Sequence, residues 1–305
     1  MRVLLTGGYG MLGQALRRLC PDDVELIYFS SAEIDLRDQN AVYQLFKQDY
    51  FDAVIHAAAK VGGIQANIDD QPGFLSENLL INTHVIKGAH DAGIRSLINI
   101  GSSCMYPKDL GKLLSEEDLL SAPLEPTNEG YALAKLSAAK LCTYIDQQEG
   151  FNYKTFIPCN LYGPYDTFNA RNSHLIPAVL MKLHQAKEEG GSEVEIWGDG
   201  TPRREFVYVD DLANFILSQI KNLEDIPSIM NVGAGEDISI NDVYKTAAEI
   251  VGYEGAFIHN LDAPMGMKRK LMDISRAQSF GWSPEVSLEE GLEQAYSWYL
   301  SHIVM

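Results

Sequence analysis

Apolar residues recur along the first half of the chain in two alternating rhythms. Short unbroken runs at Val3–Thr6, Val24–Phe29, Ala53–Ala58, Ser96–Ile100 and Lys154–Pro158 read as buried strands. Between them, apolar positions return every three or four residues, as in Leu12, Ala15, Leu16 and Leu19. This spacing predicts a first helix after Gly10, then helices over about 39–48, 72–92 and 129–149. Strands alternating with helices imply a parallel sheet covered on both faces, and right-handed crossovers make it doubly wound. The fold class is therefore α/β. After about Gly163 the rhythm loosens. Helices are expected near 174–188, 209–222, 239–251 and 287–302, with short strands near 193–197 and 228–232. The predicted organisation is a dinucleotide-binding part over 1–163 and a mainly substrate-binding part over 164–305, with some of its segments returning to the main sheet.

Composition narrows the function. Lys plus Arg is 24 against 42 Asp plus Glu, a formal net charge of −18, which repels a phosphate backbone and argues against nucleic acid as a partner. An anionic ligand then needs a local cluster of donors working against the global field. Apolar residues are 46% of the chain, enough for a large core, yet no run is long enough to span a bilayer. The apolar start, Met1 to Thr6, is too short for a signal peptide, and glycines break it. Cys20, Cys104, Cys142 and Cys159 lack paired spacing, so reduced thiols in a cytoplasmic protein are expected, with no metal.

The first chemical motif is Thr6-Gly7-Gly8-Tyr9-Gly10-Met11-Leu12-Gly13, between the first strand and the first helix. Gly7, Gly10 and Gly13 suit a tight turn, a close backbone approach to a pyrophosphate, and helix packing. The tip of the second strand, where an acid would grip a ribose 2′-OH, reads Tyr28-Phe29-Ser30-Ser31. No acid there repels a 2′-phosphate, and Ser30 and Ser31 are able to donate to one, which favours NADP(H). Asp35 is a candidate acceptor for the adenine amino group. The second motif pairs Tyr131 with Lys135, four apart on one helical face. An ammonium near a phenol favours the phenolate and lowers its pKa, tuning a proton donor for a carbonyl oxygen. Ser102, just past the fourth strand, is placed to steady the same oxygen.

These segments resemble the extended short-chain dehydrogenase/reductase family, and within it the GDP-L-fucose synthases. The resemblance is carried by Ala57 to Ile64, Gly101-Ser102-Ser103-Cys104-Met105-Tyr106-Pro107-Lys108, Glu125 to Lys135, Asn160 to Pro164, Asn172-Ser173-His174 and Trp197 to Phe206. It implies NADPH-dependent 3,5-epimerisation and 4-keto reduction of a GDP-4-keto-6-deoxy-mannose-type sugar. The alternative is a 4-ketoreductase or epimerase-reductase for a related GDP-4-keto sugar of the colitose or 6-deoxy-heptose kind. It makes Cys104 and His174 the acid–base pair for epimerisation, both residue types able to titrate near neutrality. It implies cofactor contacts at Gly7, Gly10, Met11, Leu12, Gly13, Ser31, Asp35, Leu36, Ser102, Tyr131, Lys135, Pro158, Asn160, Leu161 and His174. Substrate contacts are implied at Lys182, Trp197, Arg204 and Arg269. It also implies a homodimer built on the helices over 73–93 and 129–149. The chain departs from the family's pattern at Lys182, where arginine is usual, at Phe29 and Ser31, where basic residues are usual, and at Met265, where an acid contacts substrate.

Overall fold

The computed structural model describes residues 1–169, 173–263 and 267–304. The first half runs β1 (Arg2–Thr6), α1 (Met11–Arg18), β2 (Glu25–Tyr28), α2 (Gln39–Gln48), β3 (Ala53–His56), α3 (Ile64–Asp69), α4 (Gln71–Asp91), β4 (Ser96–Ile100), α5 (Glu129–Glu149) and β5 (Asn152–Pro158). The second half runs β6 (Asn160–Tyr162), α6 (Leu175–Glu188), β7 (Glu193–Trp197), β8 (Arg203–Arg204), β9 (Phe206–Tyr208), α7 (Val209–Gln219), β10 (Ile229–Val232), β11 (Ile238–Ser239), α8 (Ile240–Val251), β12 (Ala256–Asn260), α9 (Ser275–Ser279) and α10 (Leu288–Tyr299).

Six strands form one parallel sheet in the order β2-β1-β3-β4-β5-β10. The expected doubly wound α/β architecture is thus present. Its strands are apolar throughout because each face is covered. Val3, Leu5, Ile55 and Ile98 pack into one core, while Leu4, Val54 and Leu97 pack into another on the opposite face. The strand order reverses between β1 and β3, and at the carboxyl ends of these strands lies the switch point whose crevice holds ligands in sheets of this kind.

A further core joins α6, α8 and α10 through Val179, Leu183, Val243, Ala247, Leu292 and Ala295. The pairs β6–β9, β8–β11 and β7–β12 lie outside the main sheet. Strands of two or three residues, such as β6, β8, β9 and β11, carry no readable period and were not anticipated from the sequence. The strand β10 lies at the edge of the main sheet, paired in register with β5. All four cysteines are free, Cys20 half-buried and the others buried. Among the described residues, no helix is long and apolar enough to cross a membrane.

Candidate active site

The glycine turn is shaped by three different pressures. Gly7 has φ of +76°, and a Cβ there would stand 2.8 Å from the Ala57 carbonyl carbon. At Gly13 a Cβ would lie 2.2 Å from the Gly7 carbonyl oxygen, so helix and turn could not close. Gly10 differs, because a Cβ there meets only the Gly7 oxygen, at an ordinary 3.5 Å. The protein leaves that space open in front of α1. Gly10 is the N-cap of α1 and offers no side chain, so the first N–H groups, of Met11, Leu12 and Gly13, are left for a ligand. The Leu12 side chain is buried, so its contribution there is through the backbone. This cradle fits a dinucleotide pyrophosphate.

Beyond β4, Ser102 begins a short 3₁₀ turn and its Oγ accepts from the Cys104 N–H at 3.3 Å. That turn carries Cys104 down beside α5. Lys135 is buried, and its Nζ donates to the Ile100 carbonyl at 2.8 Å. The Tyr131 ring meets Phe74 edge-on, with the Lys135 ammonium 5.9 Å from its centroid. Cys104 is close enough to act electrostatically on both Tyr131 and Lys135. Cys104, Tyr131 and Lys135 therefore form one desolvated group, with the half-buried Ser102 joined to it through the Cys104 N–H. Burial raises the Tyr131 pKa well above a phenol's ordinary value. The nearby Cys104 acts in the same direction, so the lowering expected from Lys135 is not found. Lys135 is itself brought down to about 8 by burial. Burial also raises the Cys104 thiol, opposed by Lys270, Ser102 and Lys135.

His174 is the N-cap of α6, exposed by surface area yet enclosed enough for desolvation to lower its pKa. Its neighbour Asn172, like Met265, lies outside the described residues. Pro158 ends β5. Asn160 opens β6 and donates from Nδ2 to the Glu205 carbonyl at 2.8 Å, while Leu161 packs against the main core.

The basic residues divide. Arg204 donates to the Met267 carbonyl at 2.6 Å, is desolvated, and feels the charges of Glu125 and Asp109. The Lys270 ammonium is desolvated within reach of Cys104, Arg204, Glu125 and Glu205. Arg269 is not brought to this group, since it and Arg203 both bind Asp237 at the surface. Lys182 stands 5.6 Å from the Trp197 ring centroid, a cation–π pair joining α6 to β7. Trp197 itself is half exposed.

At the adenosine end, the Ser30 N–H and Oγ both donate to Glu33, at 2.7 and 2.8 Å. Asp35 is taken up by Arg37, which also reaches Glu77. Leu36 is buried and its carbonyl meets His84 Nδ1 at 3.1 Å, and Ser31 is exposed.

Sequence reasoning missed three buried polar residues. His56, at the end of β3, bridges Thr6 Oγ1 at 2.7 Å and Asn82 at 3.0 Å. Burial and the nearby Lys135 push its pKa down to about 3, so it is neutral. Asn82 continues to the Ala134 carbonyl, tying β1, β3 and α4 to the helix of Tyr131. Glu205 accepts the N–H groups of Gly235 at 2.9 Å and Met272 at 3.1 Å, and burial pushes it up to about 7. A histidine or glutamate interrupting an apolar run was the only available signal.

The crevice, the open glycine cradle and the tyrosine–lysine group beside it define a dinucleotide-dependent enzyme of the epimerase and reductase class. The chain belongs to the NAD dependent epimerase/dehydratase family, whose sequence profile it matches over residues 3–233. It is 48% identical to GDP-L-colitose synthase of Yersinia pseudotuberculosis, covering 99% of this chain and 98% of that protein. It is 45% identical to GDP-L-fucose synthase of Azorhizobium caulinodans, over 98% and 96%. Among solved structures it is similar to MlghC, a GDP-mannoheptose C4 reductase from Campylobacter jejuni with NADP bound, with a TM-score of 0.87, 32% identity and 98% of each chain covered.

Proposed function

We propose that this protein is an NADP(H)-dependent epimerase/reductase that converts a GDP-4-keto-6-deoxy-mannose-type sugar to GDP-L-fucose by 3,5-epimerisation and 4-keto reduction. The observation that carries this reading is that Cys104, Tyr131 and Lys135 share one desolvated group, with Ser102 bonded to the Cys104 N–H. A reductase alone needs the tyrosine and lysine, and the thiol adds acid–base capacity at carbon. The bound cofactor supplies hydride to C4. Tyr131, held neutral by burial, gives its proton to the C4 oxygen, and Ser102 orients that oxygen. Lys135 offsets the charge left on Tyr131. A 4-keto group acidifies the hydrogens at C3 and C5. Cys104 and His174 remove a proton from one face and return one to the other, and the enolate oxygen between these steps rests on Tyr131 and Ser102.

Arg204 and Lys270 concentrate positive charge for the diphosphate, with Lys182 and Trp197 serving the nucleoside end. The Gly7–Gly13 turn, Ser31, Leu36, Pro158, Asn160 and Leu161 would hold the cofactor. The division at about residue 163 separates cofactor binding from most of the sugar-nucleotide contacts. Exposed Leu80 on α4 and exposed Leu133 and Tyr144 on α5 support a homodimer through these helices. A cytoplasmic location suits the reduced thiols.

A second reading, a 4-ketoreductase or epimerase-reductase for a colitose- or heptose-type GDP-4-keto sugar, is favoured by the names of two of the relatives above and by the changed segment from Ala263 to Lys270. The deciding experiment is turnover of GDP-4-keto-6-deoxy-mannose and its heptose analogue with NADPH, with product configuration read by NMR. A C4 alcohol inverted at C3 and C5 supports the first reading. Retained configuration, or preferred turnover of the heptose analogue, supports the second, and no NADPH oxidation with either sugar refutes both.

A further inference from the structure

The tip of β2 lacks the basic residues that the resemblance leads one to expect, yet a cation is fixed there. The Arg17 guanidinium, from the second turn of α1, lies 3.9 Å from the centroid of the Tyr28 ring and 5.2 Å from that of Tyr9. The two rings meet edge to face at 5.7 Å. Tyr28 is the last residue of β2, and Tyr9 sits inside the glycine turn. The guanidinium is thus locked between the two segments that flank the adenosine ribose in a doubly wound dinucleotide site. Gly8 makes this possible. A Cβ there would stand 2.6 Å from the Tyr28 Cβ, so only glycine lets Tyr28 close onto the turn.

The surrounding charges single out Arg17. Arg37 is consumed by Asp35 and Glu77, and Glu33 is held by Ser30. Among the described residues no carboxylate lies within ion-pair distance of Arg17, whose Nη1 donates to the Gly8 carbonyl at 3.3 Å and to Gln14 at 3.2 Å. A guanidinium stacked on a ring keeps its remaining in-plane donors free, the geometry that suits a phosphate.

We propose that Arg17, presented by Tyr9 and Tyr28, recognises the 2′-phosphate of the cofactor's adenosine and sets the preference for NADP(H). This rests on the dinucleotide reading of the glycine turn. The test is calorimetric titration of the full-length protein with adenosine 2′,5′-bisphosphate and with 5′-AMP. The wild type should bind the bisphosphate more tightly. Arg17→Met should weaken the bisphosphate by about ten- to a hundredfold, the range for a charge-assisted contact, and leave 5′-AMP within about twofold. Arg17→Lys, which keeps charge but loses the fork and the stack, should restore part of the loss. Discrimination that survives in Arg17→Met, or a wild type that binds both probes equally, overturns the assignment. A wild type that binds neither probe nor NADPH overturns the dinucleotide reading itself.

Discussion

Gly10→Ala separates a glycine needed by a ligand from one needed by the fold. A Cβ at Gly10 approaches only the Gly7 oxygen, at 3.5 Å, and the backbone there is extended with φ of −77°, which alanine adopts freely. Two small terms act on stability. Alanine lowers the unfolded chain's entropy, worth about 0.4–1 kcal/mol, and is a poorer N-cap than glycine by a comparable amount. The net change should lie within about 1 kcal/mol, or roughly 2–4 °C in Tm for a domain of 150–250 residues. Binding should respond differently, because the added methyl fills the space where a pyrophosphate must approach. Forcing a methyl into a close-packed contact costs about 1–3 kcal/mol, which corresponds to roughly 5- to 150-fold in Kd for NADPH. Gly13→Ala is the contrast, since its Cβ would lie 2.2 Å from backbone and the loss should fall on folding. Thermal melting and NADPH fluorescence titration measure the two effects. Unchanged NADPH affinity in Gly10→Ala, or a collapse in stability matching that of Gly13→Ala, would refute the reasoning.

Tyr131→Phe keeps the ring against Phe74 but removes the proton donor, so kcat for reduction should fall by about 10²–10⁴ with NADPH affinity little changed; wild-type turnover speaks against the role. Cys104→Ser should slow solvent deuterium exchange into C3 and C5 without cofactor, leaving reduction of the un-epimerised ketone, and mass spectrometry of the recovered sugar reads both. Lys135 loses its charge as pH rises through about 8, so kcat/KM for reduction should decline on that alkaline limb, and a profile flat well past that pH counters it. Leu80→Glu with Leu133→Glu should convert a dimer to a monomer in sedimentation velocity, and a wild type that is monomeric at every concentration removes the dimer proposal.

Much of this protein is local enough to be read from its sequence. The unbroken apolar runs of β1, β3, β4 and β5 are legible because both sheet faces are covered, and α1 and α8 because each buries one apolar stripe. Tyr131 and Lys135 announce their shared face by a spacing of four, and the Gly7–Gly13 turn announces itself through its place between β1 and α1. Tertiary structure alone decided the rest, because it depends on residues distant in sequence and near in space. The upward shift of Tyr131 comes from its burial and from Cys104, and only the packing of α5 against the turn after β4 brings those about. Arg269 and Lys270 are adjacent and alike in charge, yet one binds Asp237 at the surface and the other approaches Cys104, since successive side chains in extended backbone point opposite ways. Arg17 of α1 reaches the tip of β2 only because Gly8 lets Tyr28 close onto the turn, a placement that no spacing in the sequence reports.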